Sequence, residues 1–464
     1  MINNSIITIL LILIFILYLQ RKYNHFIIMI GTMYFISPVI KLANNSGINP
    51  SYWVTGILLV TSILECSNGN MTIGKDQKKY FLYMQGIILC MILGAILSNN
   101  FLISDILHYI GTEQYILGVF LIGNWYEKRE VNGSKCFKYT IIIVITANII
   151  MGLIQMFSVK IGGILTKILF TYTGKDLQIN DVLQVTKRFI RIMGTNYSPT
   201  VLGIISLLMI AYFVSQILNN KKVYFWYILA LFLGLFAFSK SAILGTWIII
   251  LLGMLLEIFV KRKITNILIF KWLKCIGITL STYIFVCIFA SLIGLSAFVN
   301  YYYFESFNIR KAVSTRYGNI LENTQTQEER IVPISDGESD SIISNKENSS
   351  EMSYENKNLE QTNDGNLIEA FEVFKEHPVF GVGPGSLRGE FVGDSQFIMV
   401  LHDGGISAFI IYGIFFGGLL VQKIKKKDIK NSLIICALGM GAFSLPVFIL
   451  GCTIPFLGSV LSDD

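Results

Sequence analysis

Apolar residues run through this chain in long, nearly unbroken stretches separated by short polar ones. Such stretches lie at roughly 5–19, 26–40, 51–66, 80–97, 101–124, 139–157, 200–218, 223–238, 241–260, 272–298, 395–421 and 431–450. Most approach the roughly 20 apolar residues that a helix needs to cross a hydrocarbon core. They are too long and continuous for the alternating strands of an outer-membrane barrel. The predicted class is all-α: a polytopic integral membrane protein with about 12 transmembrane helices and two large extracytoplasmic loops. The first stretch lacks a basic leader and is followed by Arg21 and Lys22, so it reads as a retained span. A short apolar tail, 454–461, is expected to dip back into the membrane. No internal repeat is visible, which argues against transporter folds built from duplicated halves.

Composition agrees with this pattern. The chain has 464 residues, 53% hydrophobic and 14% charged, with mean hydropathy +0.61. A soluble domain is nearer 45–50% apolar and about 25% charged, so a soluble enzyme is excluded. The net charge of +7 does not point to nucleic acid, because Lys and Arg sit mostly in short loops where they orient helices. Arg21/Lys22, Lys75/Lys78/Lys79, Lys128/Arg129/Lys135/Lys138, Lys221/Lys222, Lys261/Arg262/Lys263 and Lys423/Lys425/Lys426/Lys427 fall in alternate loops, and all can face the cytoplasm together.

The organisation that follows is a six-span bundle at 1–157, a basic outer loop at 158–199, four spans at 200–298, a large outer loop at 299–394, and C-terminal spans at 395–464. The first outer loop carries Lys160, Lys167, Lys175, Lys187, Arg188 and Arg191 on the face where positive charge gains nothing from topology. An anionic ligand accounts for them, and so does an interfacial helix over 161–172 packed on lipid headgroups. Between Glu322 and Glu369 the second loop has twelve acidic and three basic residues, a net charge of −9. Segment 322–365 is too polar to offset its ordering entropy and is expected to be disordered. Residues 366–377 then place Leu367, Ala370, Phe371 and Phe374 at helical spacing, an amphipathic helix that stops before Pro378.

Several residues stand out as candidate chemistry. His377-Pro-Val-Phe-Gly-Val-Gly-Pro-Gly-Ser-Leu387 alternates Gly381, Gly383 and Gly385 with apolar residues or proline. Such a segment lets backbone approach a ligand or another chain segment closely; it has no GK[ST] and is not a nucleotide loop. By itself it reads as a tight outer turn. His402-Asp403 lies about 12 Å, two turns, below Asp394 along its span. An ionisable pair there reads as functional by default, with an interhelix hydrogen bond as the plain alternative. His377 reads as a cap, and His25 and His108 as interface residues. The seven cysteines are scattered, with no CxxC, Cys/His cluster or metal-ligand spacing.

The glycine segment resembles the signature of the O-antigen polymerase and O-antigen ligase family, polytopic bacterial glycosyltransferases with large outer loops. Arg191-Ile-Met-Gly-Thr-Asn-Tyr-Ser-Pro-Thr-Val-Leu-Gly203 resembles that family's Arg- and Gly-bearing entry into a span. Phe238-Ser-Lys-Ser-Ala-Ile-Leu-Gly245 resembles its Ser-Arg turn, with Lys240 in place of Arg. Ser314-Thr-Arg-Tyr-Gly318 resembles an Arg-bearing segment before the glycine motif. Asp394-Ser-Gln-Phe and Gly404-Gly-Ile-Ser-Ala-Phe409 resemble its next span. The likeness covers roughly 185–421, in order. Ligases of the family commonly carry His-Asn where this chain has Asp394-Ser395, which leans toward a polymerase. Lys240 cannot grip a phosphate bidentately as Arg does.

The resemblance implies a metal-independent, inverting glycosyl transfer with no cofactor. A glycan leaves a polyprenyl-pyrophosphate carrier for an acceptor sugar hydroxyl on the outer face of the cytoplasmic membrane. The pyrophosphate leaving group needs cationic clamps that strengthen as the bond breaks. Arg191 and then Arg316 are the first candidates, with Lys187, Arg188, Arg310, Lys311, Arg388 and Lys240 in support; Arg310 and Lys311 also fit plain interface anchors. Asp394, His402 and Asp403 are the candidates for receiving the acceptor proton. Expected partners are the lipid-linked donor and acceptor, membrane lipid and, where the pathway uses them, flippase and chain-length regulator proteins; nucleic acid is not one. A ligase that moves finished glycan to lipid or protein is the alternative, and a transporter of lipid-linked sugars the second.

Overall fold

The computed structural model describes residues 2–36, 38–42, 47–99, 106–170, 192–196, 198–261, 265–292, 374–384, 395–443 and 450–462. The helices are α1 (Ile2–Leu19), α2 (Tyr23–Ile36), α3 (Pro50–Ser67), α4 (Lys75–Leu97), α5 (Ile106–Glu127), α6 (Gly133–Phe157), α7 (Val159–Phe170), α8 (Pro199–Leu218), α9 (Tyr224–Phe236), α10 (Lys240–Lys261), α11 (Asn266–Leu292), α12 (Gln396–Lys425), α13 (Ile429–Ala442) and α14 (Ile454–Leu461). A minimal antiparallel ribbon pairs β1 (Ile40–Lys41) with β2 (Gly47–Ile48), Ile40 opposite Ile48. The acidic insert and most of the amphipathic stretch 366–377 lie outside the described residues.

A helix occupies each of the expected apolar stretches. Six of them, α4, α6, α8, α10, α11 and α12, are long and apolar enough to cross a membrane. The chain is thus an α-helical protein of membrane type. Polar residues mark where helices begin: Asn49 caps α3 before Pro50, Ser198 caps α8 before Pro199, and Asn132 and Asp428 cap α6 and α13. Left-handed Arg21, Asn220 and Lys427 turn the chain at helix ends. α11 starts earlier than its apolar stretch because its lysines reach polar partners. Lys271 Nζ donates to the Leu218 carbonyl at 2.7 Å, and Lys274 Nζ lies 4.0 Å from the Tyr224 ring.

α8 is the axis of the bundle. Its whole apolar window is buried, against 28% for α11. α9, α10 and α13 pack around it. Gly203, Gly234 and Gly245 allow the close approaches among α8, α9 and α10.

The ends that carry the basic loops are tied together. Glu65 at the end of α3 is buried against Lys128 just beyond α5, Oε2 to Nζ 2.5 Å. Tyr18 and Tyr23 donate to the other Glu65 oxygen at 3.0 and 3.1 Å, and Lys128 Nζ sits 3.8 Å from the Tyr23 ring centre. Both charges are thereby hydrogen-bonded and joined across four helices. Nearby contacts extend the tie: Gly74 N donates to Asn124 Oδ1 at 3.0 Å, and Gln422 Nε2 to Asp76 Oδ2 at 2.9 Å.

The C-terminal tail is a helix inside the bundle: α14 is buried on every side, alongside α5. Its start touches Ser51 through Gly451, Thr453 Oγ1 bonds Tyr115 Oη at 2.8 Å, and its end accepts Gln77 Nε2 at the Leu461 carbonyl, 3.3 Å. A helix apolar all round belongs in an interior, and Gly118, Gly123 and Gly458 let α5 and α14 meet closely.

Lys128→Met strands Glu65 without its buried partner and is expected to cost about 3–5 kcal/mol, while Lys128→Met/Glu65→Gln regains much of it. Thermal unfolding of the purified protein in one detergent reads both. Equal melting temperatures for wild type and Lys128→Met would mean that the pair contributes nothing.

Candidate functional site

α12 is two helices joined through a break at Gly405, whose φ is 64° and ψ −166°. In an unbroken helix the amide of residue 406 would donate to the carbonyl of 402, and that of 407 to 403. The break releases all four groups, two turns inside an apolar stretch. The glycine segment receives each of them. Val382 N donates to the His402 carbonyl at 3.0 Å and Gly383 N to the Asp403 carbonyl at 3.0 Å. Ile406 N donates to the Pro378 carbonyl at 2.9 Å and Ser407 N to the Val379 carbonyl at 3.1 Å. Two helical bonds are exchanged for four bonds to another segment, and no backbone group among them is left without a partner.

Glycine is required here by geometry. Gly381 and Gly383 have φ of 65° and 77°, a region that side chains rarely adopt. A Cβ on Gly381 would strike the His402 carbonyl, and one on Gly383 the side chain of Ala95 in α4. A Cβ on Gly94 of α4 would strike the Phe380 carbonyl. Ser98 Oγ adds a bond to the Val382 carbonyl at 3.4 Å. The segment therefore lies between α4 and α12 at the depth of the break, instead of forming a free outer turn. Gly385 lies outside the described residues. Pro378 supplies a carbonyl, and His377 closes the turn by accepting Gly381 N at 3.0 Å.

The ionisable pair lies just before the break. His402 Nδ1 is 2.8 Å from Asp403 Oδ1, and the two residues are 1% and 5% exposed. The Nδ1–Oδ1 contact orients the imidazole as a carboxylate orients an acid–base histidine. Because both carbonyls of the pair are tied to Val382 and Gly383, the glycine segment fixes where the two side chains start.

The second pairing of motifs lies on α6, α8 and α9. Ile192 N donates to the Phe236 carbonyl at 3.3 Å, and Gly203 of α8 packs against Ser239. Segment 192–196, which follows Arg191, thus adjoins the Phe238-Ser-Lys240 turn. Phe238 is left-handed, φ 46°, and Ser239 Oγ meets Ser241 Oγ at 2.9 Å. Lys240 opens α10 and is exposed, with no acid in the first turn.

Two residues unnoticed in the sequence build the seat of segment 192–196. Gln155 Oε1 accepts Met193 N at 2.9 Å and Gly194 N at 3.0 Å, while its Nε2 donates to the Gly194 carbonyl and to Thr166 Oγ1, both at 2.9 Å. Asn148 Oδ1 accepts Thr195 N at 3.0 Å, and Thr195 Oγ1 reaches the Phe35 carbonyl at 3.0 Å. Asn148 and Gln155 are fully buried on one face of α6. Their signal was present: two amides seven residues apart, two turns, in an otherwise apolar stretch.

Of the remaining sequence candidates, Asp394, Arg191, Arg316, Arg188, Lys187, Arg310, Lys311 and Arg388 lie outside the described residues. Among the described residues no group of His, Cys, Asp and Glu is arranged to hold a metal ion, and all seven cysteines are free.

Gly383→Val forces a β-branched residue to φ 77° and into Ala95. The strain is expected to cost about 1–3 kcal/mol and to loosen the glycine segment from α12. Amide hydrogen exchange at Val382, Gly383, Ile406 and Ser407 reads it, and unchanged protection at these four amides would dismiss the exchange of bonds as a stabilising feature. No known protein family, curated protein or solved structure matches this chain.

Proposed function

We propose that this chain is a multi-pass polysaccharide polymerase of the cytoplasmic membrane, with about 12 spans. It joins polyprenyl-pyrophosphate-linked oligosaccharide repeat units on the outer face, for a capsule, O-antigen or exopolysaccharide. The observation that carries the reading is the break in α12, where the glycine segment holds the buried His402–Asp403 pair. A broken helix inside an apolar stretch is costly to build and is tolerated where a site needs it.

Glycosyl transfer needs a proton acceptor at the attacking hydroxyl and cations at the leaving pyrophosphate. In this reading His402, oriented by Asp403, takes the acceptor proton, with Asp394 as the alternative base at the mouth of the span. Arg191, Arg316, Arg188, Lys187, Arg310, Arg388 and Lys240 supply the clamp. The seat built by Gln155 and Asn148 supports this assignment, because it anchors the chain directly after Arg191 beside the Lys240 turn. The motif order resembling the O-antigen polymerase and ligase family supports it independently.

Electrophoresis of surface polysaccharide from a deletion strain, complemented with wild type, Arg191→Ala or Asp403→Asn, tests the proposal. Deletion is expected to collapse long chains to single repeats, and only wild type to restore them fully. Asp403→Asn, which removes the carboxylate that orients His402, is expected to slow polymerisation by up to about 10⁴-fold. Normal chain length with a normally expressed Arg191→Ala protein would overturn the polymerase reading. Full-length lipid-linked chains in the deletion strain would identify a ligase, and repeats trapped inside a transporter.

A further inference from the structure

The short helix α7 is built the opposite way round from a surface helix in water. Gly162, Gly163 and Thr166 make its buried face, small and polar. A Cβ on Gly162 would meet the backbone of Gln155, and Thr166 receives the Gln155 amide. The opposite face is Ile161, Ile164 and Ile168, 56%, 48% and 42% exposed, continued by Phe157 one turn earlier at 75%. A water-facing helix turns its apolar stripe inward; this one turns it outward.

Its position says what medium it meets. Twelve residues rise about 18 Å, too little to cross a bilayer. Its first half rests on the end of α6, and its last turn lies across the start of α1 and the strand ribbon. Val39 N donates to the Leu169 carbonyl at 2.8 Å, the Asn3 side-chain amide bonds the Ile168 carbonyl, and Lys41 Nζ reaches the Lys167 carbonyl at 3.5 Å. This is the end of the bundle opposite the basic loops. Lys160 and Lys167 are both exposed, seven residues and so two turns apart on one flank of the stripe. An apolar stripe bordered by a row of cations fits one surface, the boundary between acyl chains and anionic headgroups.

We propose that α7 lies in the membrane interface, with Phe157, Ile161, Ile164 and Ile168 among acyl chains and Lys160 and Lys167 on the phosphates of anionic lipids. The assignment is independent of the polymerase reading.

The test uses the full chain in nanodiscs, with exposed Cys66 replaced by Ser and a fluorophore placed in turn on Lys160→Cys, Ile161→Cys, Ile164→Cys and Ile168→Cys. Acyl-chain nitroxide lipid is expected to quench positions 161, 164 and 168, and aqueous iodide to quench 160. Equal quenching at all four positions overturns the proposal. So does shielding of the stripe from both quenchers, which would mean that protein covers it. Phosphatidylglycerol in place of phosphatidylcholine is expected to raise the melting temperature of wild type but not of Lys160→Ala/Lys167→Ala. An equal rise in both removes the anionic-lipid assignment.

Discussion

Every backbone amide and carbonyl inside an apolar medium needs a partner within the protein, because no water can supply one. That constraint decides the architecture of this chain more than any single packing contact. Helices meet it by themselves. Where a helix stops short or breaks, another segment has to be brought in. The break at Gly405 is closed by residues 378–383, and the non-helical stretch 192–196 by the side chains of Gln155 and Asn148. In both places glycine with positive φ allows the approach.

The same economy governs buried charge. Glu65 and Lys128 are held with two tyrosine hydroxyls and an aromatic face, so neither charge is buried without compensation. This cluster ties α1, α2, α3 and α5 at the end where the basic loops gather. The opposite end carries the break, the amide-built seat and α7. The molecule thus divides into one end fastened by ion pairs and hydrogen bonds and one end where irregular backbone is concentrated. The proposed chemistry is assigned to the second end.

His402 and Asp403 gain meaning from this division. As neighbours in sequence they would point about 100° apart on a regular helix. Their backbone is helical, the break coming only at Gly405, yet the side chains meet at 2.8 Å. The pair lies deep in the helix and is tied through its own carbonyls to the glycine segment, which fixes where both side chains start. Asn148 and Gln155 serve the neighbouring segment in the same manner, holding backbone so that the residues next to it are delivered to one place.

Hydrophobic periodicity by itself determined the class of the protein, the positions of its helices and the alternation of basic loops, because length and apolarity are local properties of a stretch. The glycine segment and His402–Asp403 were legible as unusual residues, but their meeting was not. A span from 395 to 421 looks continuous, and Gly404-Gly405 alone does not say whether a helix bends, breaks or runs straight. Only the tertiary structure decided that residues 378–383 fill the break, that the apolar tail 454–461 becomes a buried helix beside α5, and that α7 faces outward with its apolar side. Each of these depends on which distant segment supplies the missing hydrogen bonds or the small surface to pack on, and that choice is made between residues tens to hundreds of positions apart.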